Sequence, residues 1–140
     1  MVEDITKFWA GGFLYNPDTH AVLLHKRDNK AQINPNRWAF FGGLSKGNEA
    51  PSQTFRREMN EELGIDINES DVIPLCDYLN EVHNTHRYVF FAEGRKEKSD
   101  MHLTEGADFD WIPLAEVSRV NPTSYTKRDI ELFVKRHVRN

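Results

Sequence analysis

The chain has 140 residues, 39% of them hydrophobic and 29% charged, which suits one soluble domain with a proper core. A formal charge of −4 and a pI near 5.8 argue against a general nucleic-acid binder, which presents a basic surface. No apolar run reaches the roughly 18 residues of a membrane span, Glu3 and Asp4 stand where a secretory leader would be positive, and a lone Cys76 excludes an internal disulfide and fits a reducing cytoplasm.

In chain order, Phe8–Tyr15 reads as a strand interrupted by Gly11-Gly12, a bulge or a place of close backbone approach. Asn16-Pro17-Asp18-Thr19 is turn chemistry, and Ala21–Lys26 is the returning apolar strand. A polar loop, Asp28–Arg37, leads to Trp38-Ala39-Phe40-Phe41, a short strand running into Gly42-Gly43. Pro51 suits the first turn of a helix and Gly64 its end. Val72–Val82 and Arg87–Glu93 read as strands joined by a polar turn around Asn84, and Phe109–Ile112 as another. Tyr125–Val138 predicts a last amphipathic helix with Ile130, Phe133, Val134 and Val138 on one face. Mixed strands with helices before and after predict an α/β fold, a sheet flanked by helices.

The helix from Pro51 to Gly64 is the strongest periodic signal. At about 100° per residue, Glu58, Glu61 and Glu62 share one face, and Phe55, Met59 and Leu63 form the adjoining apolar stripe. Like charges at these spacings repel by about 0.2–0.5 kcal/mol per pair. Glu61 and Glu62 also lie near the negative end of the helix dipole, which costs about 0.3–1 kcal/mol each. Only Arg57, four residues before Glu61, offers local relief. A sequence breaks helix electrostatics in this way at functional sites, and a divalent cation would remove the conflict. Clustered carboxylates suit hard, oxygen-seeking Mg²⁺ better than zinc. The alternative is an ordinary acidic surface helix, which leaves the preceding segment unexplained.

That segment decides between the two. GLSKGNEAPSQTFRREMNEELGI, Gly43 to Ile65, resembles the Nudix box at every fixed position: Gly43, Glu49, Arg57-Glu58-Met59, Glu61-Glu62 and Gly64-Ile65. Leu23-Leu24-His25-Lys26-Arg27, Trp38-Ala39-Phe40-Phe41-Gly42-Gly43 and Trp111-Ile112-Pro113-Leu114 resemble the family's flanks. Phe41 departs from the pattern, standing where relatives usually carry proline.

The resemblance implies an α/β/α sandwich with a mixed sheet and a loop–helix–loop catalytic motif. It implies that Glu58, Glu61 and Glu62 bind the metal or activate water. Glu49 would help hold the cluster and counts among the metal-site residues, the backbone carbonyl of Gly43 can be a ligand, and Arg57 would orient a glutamate. The cofactor expected is Mg²⁺, with Mn²⁺ as its stand-in. The implied reaction is hydrolysis of a phosphoanhydride in a small nucleotide-like substrate, a nucleoside triphosphate or a nucleoside diphosphate derivative. Whether Glu61 is ligand or base is open, and so is a homodimer. Arg27 is a candidate phosphate contact. Phe41, Trp9 and Tyr125 are candidate ring contacts. Glu105, in a loop ahead of the Phe109–Ile112 strand, is a candidate catalytic glutamate reaching the cluster from the side opposite the helix, with Gly106 permitting a bend. His83 and His86 share a turn, but zinc would need further ligands. Competing readings are a hydrolase of GDP-mannose-like nucleotide sugars attacking the sugar carbon, an isoprenoid diphosphate isomerase, and a non-catalytic nucleotide sensor. An intact box argues against the first and last, and the sole Cys76 gives the isomerase no support.

Overall fold

A computed structural model describes residues 7–28, 36–104, 106 and 108–138. Its strands are β1 (Trp9–Asn16), β2 (Ala21–Lys26), β3 (Trp38–Ala39) and β4 (Phe41–Leu44), followed by α1 (Pro51–Leu63). After these come β5 (Ile73–Asn80), β6 (Thr85–Glu93), β7 (Asp108–Pro113) and α2 (Ser124–His137). All form one mixed sheet in the order β3-β2-β1-β6-β5, with β4 also beside β1 and β7 beside β2. Only β1 and β6 run parallel.

Side-chain alternation along the central strands builds two cores. Ala10, Leu14, Leu23, Phe90 and Ala92 face one way and meet Phe55, Met59 and Leu63 of α1. Phe13, Tyr15, Val22, Leu24, Val89 and Phe91 face the other way and meet Ile130 and Phe133 of α2. A period of two in the strands and the apolar stripe of each helix thus dictate an α/β/α sandwich. Val134, expected on the buried face of α2, is 37% exposed at its margin. Among the described residues no helix is long and apolar enough to cross a membrane.

The expected strand Trp38–Phe41 is in fact two. β3 pairs with the far end of β2 through His25↔Ala39 and Lys26↔Trp38, while β4 pairs with the start of β1 through Trp9↔Leu44 to Gly12↔Phe41. β1 and β2 touch each other only at Tyr15↔Val22 and Asn16↔Ala21. They splay apart beyond that point, and the segment from Trp38 to Leu44 crosses from one to the other at Phe40. The gap between them is where the site forms.

α1 begins at Pro51, which needs no N–H partner, and the Gln53 Oε1 accepts the Ala50 N–H at 2.7 Å. It ends where Gly64 turns left-handed, φ 71°, and donates its N–H to the Asn60 carbonyl at 2.8 Å.

Candidate active site

Three sequence features converge on the C-terminal half of α1. Gly43, in β4, lies directly under the Glu58 carboxylate, so a Cβ on residue 43 would overlap Glu58. Only glycine permits that approach of backbone to carboxylate.

Arg57 is the hub of the acidic face. Its Nε donates to Glu49 Oε2 at 2.6 Å and its Nη2 to Glu49 Oε1 at 3.1 Å. Nη1 reaches Glu58 Oε2 at 3.0 Å and Glu61 Oε1 at 3.1 Å, and Nη2 also reaches the Leu44 carbonyl at 3.1 Å. A planar guanidinium with its donors in a fixed fork is the one side chain that can serve three carboxylates at once. The repulsion expected on this face is therefore relieved in part by Arg57 itself.

Glu49 is committed differently from a metal ligand. Its Oε1 also accepts the Lys46 N–H at 2.9 Å and the Thr54 hydroxyl at 2.8 Å. Three donors fall on Oε1 and one, the Arg57 Nε, on Oε2, and the Arg57 guanidinium beside it holds its pKa down at about 2. In this arrangement Glu49 anchors Arg57. Among the described residues no three histidine, cysteine, aspartate or glutamate side chains are gathered as a metal cage. The donor types are nonetheless all hard oxygens, the chemistry of Mg²⁺ or Mn²⁺.

Glu62 is the buried glutamate of α1. It is 8% exposed and lines a cavity of about 460 Å³ in the splay between β1 and β2. Arg27, at the exit of β2, lines the same cavity. So does His25, whose Nε2–H donates to the Phe40 carbonyl at 3.0 Å. Burial pushes the His25 imidazole down to about 4, outweighing the pull of that carbonyl, so the ring is neutral at pH 7. The remaining walls include Trp9, Phe40, Asn80, Arg87 and Tyr125.

Phe41 is not among them. It is 0% exposed and faces the α1 core, its ring 4.9 Å from that of His25. The alternation that points Phe40 toward one layer points Phe41 toward the other. The expected ring contact at Phe41 is thus corrected to a support beneath His25. Trp9 and Tyr125 do line the cavity. His86 Nε2–H donates to the Asp77 carboxylate at 2.8 Å, and His83 stands at the cavity wall. Glu105 lies outside the described residues. Its neighbour Gly106 has φ 96°, the left-handed bend expected of it.

Sequence reading missed Asn80, Arg87 and Asp129. Asp129, on α2 and 1% exposed, accepts from Tyr78 at 2.8 Å and from Arg87 Nε at 3.4 Å. Arg87 in turn holds its Cζ 4.2 Å from the centre of the Trp9 ring. The indole lies against Gly11 and Gly42, where a Cβ on either glycine would overlap it. The paired glycines at 11 and 42 thus make a floor for Trp9. Only the buried-face position of an aspartate in α2 hinted at this relay.

This box, this sheet and these two layers define the class. The NUDIX domain family model matches residues 8–134, and the chain belongs to that family; it is a hydrolase acting on diphosphate bonds. It is 29% identical to the dihydroneopterin triphosphate diphosphatase of Haemophilus influenzae over 114 residues, covering 71% of this chain and 69% of that protein. The MutT protein of Methanosarcina mazei Go1 superposes with a TM-score of 0.73 at 19% identity, covering 99% of this chain and 100% of that one. A bifunctional NMN adenylyltransferase/ADP ribose pyrophosphatase from Francisella tularensis, solved with AMP and a manganese ion, gives a TM-score of 0.73 at 18% identity. That match covers 96% of this chain but only 43% of the larger enzyme.

Proposed function

We propose that the chain hydrolyses a phosphoanhydride in a nucleoside triphosphate or a nucleoside diphosphate derivative, with Mg²⁺ as cofactor and Mn²⁺ as its stand-in. The observation that carries this reading is the continuity of one cavity, which is lined both by Glu62 and Arg27 and by the aromatic walls Trp9 and Tyr125. Glu62, which shares its helix face with Glu58 and Glu61, suits a cation-bound phosphate chain at one wall, and aromatic rings at another suit a heterocycle. The relative from Haemophilus influenzae supports it, since its name gives a triphosphate as substrate, as does the neighbour that holds AMP and a manganese ion.

Glu58, Glu61, Glu62 and the Gly43 carbonyl would hold the ion. Bound there, it would neutralise phosphate oxygens and acidify a water. Arg57 keeps Glu58 and Glu61 oriented through its fork and is itself held by Glu49. Arg27 contacts a phosphate. Glu61 or Glu105 takes the proton from the attacking water; a glutamate in that role acts mainly in the transition state, so Glu105→Gln lowers kcat more than it raises KM.

A screen of nucleotides and nucleotide conjugates with Mg²⁺, run in ¹⁸O-labelled water and read by mass, tests the reading. The label is expected on a phosphate product. Label on a sugar carbon, or no turnover of any nucleotide, would overturn it.

A further inference from the structure

We infer that the cavity selects a planar ring that presents a carbonyl oxygen, of the kind in guanine or a pterin, over one that presents an amino group, and that the Asn80 amide makes the choice. The inference rests on the nucleotide reading for the orientation of the ligand, but its chemistry comes from the hydrogen-bond inventory of the cavity wall.

Asn80 ends β5 and is 9% exposed. Its Oδ1 accepts the Val82 backbone N–H at 3.1 Å and the Tyr125 hydroxyl at 2.8 Å. A backbone N–H can only donate, so the amide oxygen, and not the nitrogen, must face it. The orientation of the amide is therefore fixed, and its two N–H groups have no partner among the described residues. They are donors on a residue of the cavity wall.

Its neighbours reinforce the same sign. Arg87 engages Asp129 through Nε and brings a cationic fork to the wall beside Trp9. The Thr85 hydroxyl spends its hydrogen on the His83 carbonyl at 2.9 Å and the Thr123 hydroxyl on Thr126 Oγ1 at 2.9 Å, so the donors this part of the wall offers are those of Asn80 and Arg87. Glu62 is the sole carboxylate among the described residues of the wall, and it stands on α1 beside the acidic cluster. A ring entering beside Trp9 and Tyr125, both of which lie against the Arg87 guanidinium, thus meets the donors of Asn80 and Arg87. An oxo group satisfies them, whereas an exocyclic amine opposes donor to donor and leaves buried polar groups unpaired, a mismatch that discriminates strongly.

Asn80→Asp tests this directly. The aspartate keeps one oxygen for Val82 and Tyr125 and replaces the amide donors with an acceptor. Calorimetric titration of the intact protein without metal, with guanosine 5′-monophosphate, adenosine 5′-monophosphate and 7,8-dihydroneopterin as probes, reads the ring seat apart from catalysis. The wild type is expected to bind the guanosine probe at least about tenfold more tightly than the adenosine probe, and Asn80→Asp to reverse that order. Asn80→Ala, which removes the donors without introducing a charge, should bring the two affinities together and covers the case of an aspartate variant that does not fold. Tighter binding of dihydroneopterin than of guanosine monophosphate would identify a pterin as the ring source, and the opposite order a purine. Equal binding of guanosine and adenosine probes by the wild type, an unchanged ratio in Asn80→Ala, or no binding of any probe would overturn the inference. Intact ring preference without turnover of any triphosphate in Mg²⁺ would instead remove the hydrolytic reading and leave this one standing.

Discussion

The two walls of the cavity are built in opposite ways. At the acidic wall, Glu62 lines the cavity and belongs to a set with Gly43, Glu49, Arg57, Glu58 and Glu61 that comes from β4, the loop after it and α1, all within residues 43–62. At the ring wall, Trp9, Asn80, Arg87, Tyr125 and Asp129 come from β1, β5, β6 and α2, and the Arg87–Asp129 contact joins residues 42 positions apart. The first wall is a local device whose geometry follows from 3.6 residues per turn. The second exists only once the sheet and α2 have docked. A family can therefore keep its chemistry in one short segment while its substrate choice is spread over the fold, where single changes alter it without disturbing the helix.

The largest expected effect falls at the acidic wall. Glu62→Gln should lower kcat about a thousandfold, or ~4 kcal/mol of barrier, with thermal unfolding little changed, because the glutamine keeps the shape of a side chain whose charge serves the reaction. Steady-state kinetics with saturating Mg²⁺ against a turned-over nucleotide checks this. A loss of tenfold or less would break the assignment of chemistry to that wall.

Next comes Asp129→Asn at the ring wall. It removes the carboxylate paired with Arg87 among the described residues, leaving a guanidinium that is 9% exposed without that counter-charge. Breaking a buried pair in this way costs about 3–4 kcal/mol, measured by urea unfolding. In the fraction that stays folded, KM should rise far more than kcat falls, since Asp129 acts on Trp9 through Arg87 and has no contact with the helix carboxylates. A fall in kcat at unchanged KM would erase the distinction between the two walls.

A third effect reports on the ground between them. The His25 imidazole has its folded pKa pushed down to about 4 by burial, from an ordinary 6.5. The unfolded chain therefore binds a proton that the folded one refuses, so the contribution to stability is whole above pH 6.5 and is lost as pH falls toward 4. The shift corresponds to about 3 kcal/mol. His25→Gln should flatten that limb of the stability–pH curve, measured by chemical denaturation at half-unit steps. An identical limb in the variant would place the acid sensitivity elsewhere.

How far these walls were legible in the sequence follows from the same contrast. The box spacing placed Arg57, Glu58 and Glu61 together because helix geometry is local, and the strand ends came within a residue or two because alternation is local as well. Phe41 was misread since a strand residue's layer depends on register, and a one-residue step exchanges the faces; the break at Phe40 exists only because β1 and β2 splay. The box spacing places Glu49 near the cluster but does not reveal that its Oε1 gathers three donors and that it grips Arg57 with both oxygens. Asn80 left no local trace, and Asp129 left only its position on the buried face of α2. An asparagine at a strand end reads as turn chemistry, and an aspartate in a helix reads as surface, until the tertiary fold buries them.

The smallest effect tests whether the acidic wall is held by its anchor or only by the helix. Glu49→Gln keeps an oxygen for the Lys46 N–H and the Thr54 hydroxyl but withdraws the charge from Arg57. The guanidinium would then lose its bidentate partner while keeping Glu58 and Glu61, and the side chains concerned are about one-fifth exposed, so the cost should be modest, about 1 kcal/mol at pH 7. The sign with pH is fixed by the depressed Glu49 pKa of about 2 against an ordinary 4.5. Wild-type stability from this group is complete above pH 4.5 and disappears as pH falls toward 2, so the gap between wild type and variant should close over that window. Activity should fall severalfold through kcat, since Arg57 is no longer held where it orients Glu58 and Glu61. A stability gap that stays constant from pH 5 to pH 2.5 would mean that the Glu49–Arg57 charge contributes nothing, and the order of the acidic wall would then come from α1 packing on the sheet through Phe55, Met59 and Leu63.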